Sequence, residues 1–119
     1  MSLGQSIDGE DISLEIDIDQ GARISSLKFR GYECVLPFRG QLMTWGWYAM
    51  GPWAGRIKNG IVKDSAGNSY QLPTNLAPPH AIHGFTLTHS WQELSDGYFA
   101  IDFPEPYGGA RLEQRFEVL

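Results

Sequence analysis

In DISLEIDID, residues 11–19, apolar and polar side chains alternate without a break. Ile12, Leu14, Ile16 and Ile18 fall on one side, and Ser13, Glu15 and Asp17 on the other. A period of two marks an extended chain, because successive side chains of a strand leave opposite faces. One apolar and one polar face further specify an antiparallel strand with one side in water. The pattern recurs along the chain. FTLTHSWQEL sets Phe85, Leu87, His89 and Trp91 on one side, and DGYFAIDF alternates after its glycine. Towards the end, Leu112, Gln114, Phe116 and Val118 alternate with Arg111, Glu113, Arg115 and Glu117. RISSLKF and ECVLPF read as shorter runs stopped by Gly31 and Pro37, and GIVKDSAGNSYQLP as a hairpin around the turn-rich DSAGN. No stretch carries a capped 3.6-residue stripe. The expected fold is all-β, an antiparallel β-sandwich with turns every eight to twelve residues or roughly so.

The chain has 119 residues, which suits one domain (1–119), with residues 1–6 read as a tag or as disordered. Its last alternating run stops at Leu119 with no turn or polar tail. An unpaired strand there needs cover, from a second copy or from further chain. Net charge is −5 and the nine Lys and Arg residues are scattered, so there is no basic footprint for nucleic acid or for a membrane surface. No apolar run is long enough to span a bilayer, and the N-terminus lacks the pattern of a secretory signal. Cys34 is the single cysteine, which excludes an internal disulfide and fits a reducing compartment. A cytoplasmic location is expected.

Between the strands lies GQLMTWGWYAMGPWAGRIKNG, residues 40–60, where Trp45, Trp47, Tyr48 and Trp53 are interleaved with five glycines. Glycine lets backbone approach a ligand, and aromatic rings offer flat apolar faces of the kind that suit the C–H surface of a sugar. The same tryptophans would also serve as core filling. Arg56 stands alone among apolar residues, either holding hydroxyls or a carboxylate with its fixed donors or lying over an aromatic ring at the surface. All three histidines fall in APPHAIHGFTLTHSW, residues 77–91. Pro78 and Pro79 make that stretch a loop, and no carboxylate lies between Asp64 and Glu93, so a metal site is not expected. No G-x-S-x-G elbow appears. An imidazole can exchange one proton near neutrality, which makes His83 a candidate for acid catalysis, whereas an isolated histidine also serves as a structural hydrogen-bonder.

GPWAGRIKNG, a hairpin ending YQLPTN, and then HAIHGF together resemble the N-terminal half of the aldose 1-epimerase (galactose mutarotase) family. The residues that carry the likeness are Arg56–Ile57, Gly60, Tyr70, Leu72, Asn75, Ile82–His83–Gly84 and Trp91, with GARISSLKFRGYECVLPF similar to the family's opening. The resemblance implies that this chain is the N-terminal part of a large β-supersandwich. It implies an isomerase that needs no cofactor and no metal and exchanges α and β anomers of an aldose or a sugar phosphate. His83 would belong to the acid machinery, with Arg56, Trp53 and His80 contacting the sugar. Gly55 stands where galactose-type members carry an asparagine, and HGF replaces their HGG. The family's second histidine, aspartate and glutamate base come from its later half and have no counterpart here. The alternatives are a non-catalytic carbohydrate-binding module and a structural β-domain that self-associates through an open edge.

Overall fold

A computed structural model describes residues 4–119. Among them there is no α-helix, and the strands pair antiparallel throughout. Strands β1 (Gly4–Asp8), β2 (Ile12–Asp17), β3 (Arg23–Phe29) and β4 (Tyr32–Glu33) form one meander in the order β1-β2-β3-β4. In β2 the predicted alternation becomes burial: Leu14 and Ile16 are buried while Glu15 between them is exposed. Residues 4–6, part of the stretch read as a tag or as disordered, pair in β1 with Asp17, Ile16 and Glu15; residues 1–3 of that reading lie outside the described residues.

A second sheet runs in the order β11-β10-β9, from β9 (Gln92–Ser95), β10 (Tyr98–Asp102) and β11 (Arg111–Arg115). From Arg111 to Leu119 exposed and half-buried residues alternate as the sequence predicts. Phe99 and Ile101 of this sheet join Leu14, Ile16, Ala22 and Ile24 of the first in one apolar core. That shared layer makes the antiparallel sandwich.

Two smaller pairs complete the fold. β6 (Ile61–Lys63) and β7 (Ser69–Gln71) are the expected hairpin. Its turn is held by the Asp64 carboxylate, which accepts from the Ala66 and Asn68 amides, the Asn68 side chain and the Tyr70 hydroxyl. β5 (Arg56–Ile57) pairs with β8 (Ala81–Ile82), joining segments distant in sequence.

Two expectations need correction. Ile18 leaves the strand for a 3₁₀ turn, Ile18–Gln20, closed by Gly21 at φ 80° and Ala22 at φ 45°. Residues 85–91 are turns and not a strand. Phe85, Leu87 and Trp91 are buried there, yet His89 is exposed. Tertiary bonds impose that arrangement: the Trp91 indole donates to the Thr86 carbonyl at 2.9 Å and the Gly21 amide to the His89 carbonyl at 2.9 Å.

Candidate functional site

The segment from Cys34 to Gly55 contains no strand longer than an isolated bridge, so its order must come from elsewhere. Arg23 is the first source. Its side chain is fully buried at the start of β3. Nε donates to the Gln20 carbonyl (2.8 Å), one terminal nitrogen to Leu42 (2.9 Å) and Trp45 (2.8 Å), and the other to Leu87 (2.7 Å). The guanidinium also stacks 4.3 Å from the Trp45 ring centroid and 4.6 Å from that of Tyr48. Buried carbonyls without donors cost free energy, and a charged donor satisfies them more strongly than a neutral one. A single side chain thus ties the aromatic loop to both the first turn and the segment around Leu87. Sequence reading singles out Arg56 and passes over Arg23, since nothing local marks an arginine after a glycine turn as buried.

Two further attachments act through backbone. Ile24 and Trp47 exchange amide bonds at 2.8 and 2.9 Å. Gly51 and Gly84 form a parallel bridge, the Phe85 amide donating to the Gly51 carbonyl at 2.8 Å and the Gly51 amide to the Thr86 hydroxyl at 3.0 Å. At Gly84 the approach needs glycine, since a Cβ there would collide with the Gly51 main chain.

The loop, so fastened, delivers Arg56 and His83 to neighbouring positions. Arg56 lies opposite Ile82 in the β5–β8 register, so His83 is the next residue along and faces Gly55. The His83 amide donates to the Gly55 carbonyl at 3.0 Å, and the Gly55 amide donates back to the imidazole Nδ1 at 3.0 Å. His83 has φ 59°, in the left-handed region, as does Gly84 at φ 73°. Partial burial, with the Arg56 charge adding to it, lowers the His83 pKa from its ordinary 6.5. The Tyr48 ring tilts over His83 at 6.4 Å.

His80, at the other end of β8, is half-buried and accepts the Asn59 amide at Nδ1 (3.0 Å). Trp53 packs edge-on against Phe85 (5.3 Å) and tilted on Tyr107 (6.1 Å), at the margin of the core. It lines a small cavity of about 110 Å³ with Asn75, Ile82, Gly84 and His89. Its indole nitrogen is buried without a hydrogen-bond partner among the described residues. Arg56 is exposed and, among the described residues, makes no ion pair. His89, the third histidine, places Nδ1 2.7 Å from the Phe85 carbonyl.

The carboxylates of the second sheet are engaged away from these groups. Glu93 accepts from Gln5 at 2.7 Å, Asp102 pairs with Arg111 at 2.8 Å, and Glu113 accepts from the Tyr98 hydroxyl. Among the described residues, no three His, Cys, Asp or Glu side chains gather at one point.

Comparison with known proteins gives this arrangement a relative. Two solved structures share the fold over almost the whole chain. One is a protein of Escherichia coli K12 assigned as an aldose 1-epimerase: 21% identity, TM-score 0.74, covering 98% of this chain and 42% of that one. The other is a galactose 1-epimerase of Lactobacillus acidophilus NCFM, with 19% identity, TM-score 0.59, and 92% and 39% of the two chains covered. The chain therefore spans about two fifths of the length of the structures it resembles. The search of curated proteins finds no match. The aldose 1-epimerase family model matches residues 7–98, which contain every anchor of the long loop together with Arg56, His80 and His83. The chain belongs to the aldose 1-epimerase family.

Proposed function

We propose that this chain carries the sugar-contacting, N-terminal part of an aldose 1-epimerase site, as a single β-domain of a larger supersandwich. The supporting observation is that β5 and β8 bring Arg56 and His83, distant in sequence, to adjacent places, with the Tyr48 ring tilted over His83. Arg56 holds sugar hydroxyls with its planar donors. His80 and His83 offer ring nitrogens from the two ends of β8, and Trp53 lines the apolar side. The substrate is an aldose, free or phosphorylated.

Exchange of anomers requires one proton to leave the C1 hydroxyl and one to reach the ring oxygen while the bond between C1 and that oxygen breaks. Rotation about C1–C2 and reclosure then give the other anomer. His83 acts at the oxygen that gains the proton. The group that takes the C1 proton is not among the carboxylates described above, and its loss typically forfeits about 10²–10⁴-fold in rate. A second reading, a carbohydrate-binding module without chemistry, draws on that same missing base.

Titration calorimetry with common aldoses tests the site: saturable binding is expected, weakened about tenfold or more in Arg56→Ala and in His83→Ala. No heat for any aldose would refute both readings. Polarimetry of fresh α-glucose separates them, because mutarotation no faster than in buffer leaves only binding.

A further inference from the structure

Gly55 and His83 oppose each other across the β5–β8 ladder, and the His83 amide already donates to the Gly55 carbonyl. In a regular antiparallel ladder the Gly55 amide would answer by donating to the His83 carbonyl. Here it donates to the imidazole Nδ1 instead, at 3.0 Å. The left-handed backbone at His83 and Gly84 takes the chain out of the ladder at that rung, and the ring occupies the vacated acceptor position. A backbone amide cannot reverse its polarity. Nδ1 is therefore unprotonated, and the ring hydrogen sits on Nε2. Among the described residues, nothing hydrogen-bonds to that Nε2.

We propose that the Gly55 amide holds His83 as a neutral imidazole protonated at Nε2, which meets a sugar oxygen as a hydrogen-bond donor and does not hand over a proton as an imidazolium. The inference rests on the sugar-binding reading only for the identity of the acceptor. A charged ring would set an N–H at Nδ1 against the Gly55 N–H, two donors face to face. The groups bearing on the ring agree: Arg56 on β5 opposes a second positive charge, and Tyr48 from the long loop covers one side. A neutral ring protonated at Nε2 suits uncharged oxygen acceptors such as hydroxyls and a ring oxygen. A neutral imidazole that polarises an oxygen in this way is established enzyme chemistry. The proton that the ring oxygen gains must then come from another group.

The test is long-range proton–nitrogen spectroscopy on the ¹⁵N-labelled protein between about pH 5 and 8. Expected are a His83 ring protonated only at Nε2, a nitrogen–nitrogen coupling across the bond from the Gly55 amide, and a titration midpoint below 6.5. An Nδ1–H ring, or a midpoint above 6.5, would overturn the proposal. Aldose binding supplies an independent arm. His83→Gln keeps an N–H near the reach of Nε2 but cannot become a cation, so its affinity should stay within about threefold of the parent. His83→Ala should lose about tenfold or more. Glutamine as weak as alanine would overturn the donor role. With the parent protein, binding should weaken as pH falls through the midpoint, where the ring gains charge. A protein that binds no aldose overturns the sugar-binding reading and the donor role with it, while the spectra still decide the tautomer.

Discussion

Arg23 and Arg56 divide the work of a cation between them. Arg56 is exposed and, among the described residues, makes no ion pair, whereas the hydrogen bonds of Arg23 go to main-chain carbonyls and its side chain is buried. Arg23→Met preserves much of the volume but leaves the Leu42, Trp45 and Leu87 carbonyls unsatisfied. The expected loss is about 3–5 kcal/mol, since each buried carbonyl left without a donor costs about 1–3 kcal/mol and partial relaxation recovers some of it. Chemical denaturation measures it, and a loss below about 1 kcal/mol would mean that water replaces the guanidinium. Only part of this was legible in the sequence. The Arg–Ile and His–Gly pairs carry a family pattern, so Arg56 and His83 stand out. Arg23 sits in a strand pattern of no special kind, and its burial depends on carbonyls 19, 22 and 64 residues away. Gly55 has its own residue-level logic. It adopts φ 76° with open space where a side chain would project, and asparagine is among the few residues that accept such a backbone. A side chain such as asparagine could therefore stand at this position with the turn intact.

At the level of elements, the readable strands are those whose two faces meet different surroundings. β2 and the final run from Arg111 keep their period of two because one face meets the core and the other water, whereas β10 buries Phe99, Ala100 and Ile101 in succession. The β6–β7 hairpin was legible from its turn chemistry, which the Asp64 carboxylate carries out. Residues 85–91 mislead because their alternation in sequence is not one in burial: Phe85, Thr86 and Leu87 are buried in succession by turns whose ends are tied to other segments. What fixes that stretch is the crossing of Gly51 and Gly84, where backbone touches backbone. Gly84→Ala should therefore cost more than the ordinary helix or strand penalty, about 3 kcal/mol or more, since its Cβ would meet Gly51 main chain and the backbone is left-handed. Thermal melting checks this, with Gly67→Ala as the control: that glycine is equally left-handed at φ 88° but has nothing nearby. Equal shifts for the two variants would show that backbone conformation alone decides, and not the crossing.

The whole molecule is long for its size, 53 × 29 × 24 Å, with a radius of gyration of 15.9 Å. A compact domain of this length would have roughly 13.5 Å. The excess shows in where apolar side chains lie. Phe29, Tyr32, Leu36, Phe38, Leu42, Trp47 and Met50 are all exposed, and Leu36, Trp47 and Arg39 line a groove of about 450 Å³. Surfaces of that kind take up apolar probes. The native protein should enhance the fluorescence of anilinonaphthalene sulfonate, its sulfonate matched by Arg39, and Trp47→Ser should reduce the signal. The melting temperature should stay within about 3 °C, since Trp47 contributes its backbone to the fold and leaves its ring in solvent. No enhancement would mean that the groove is closed in solution. Proteins often gather distant carbonyls around a calcium ion, a fastening that a chelator can undo. Arg23 gathers its carbonyls with a side chain that belongs to the chain itself, so a chelator has nothing to draw out; only a change of sequence removes that fastening of the long loop.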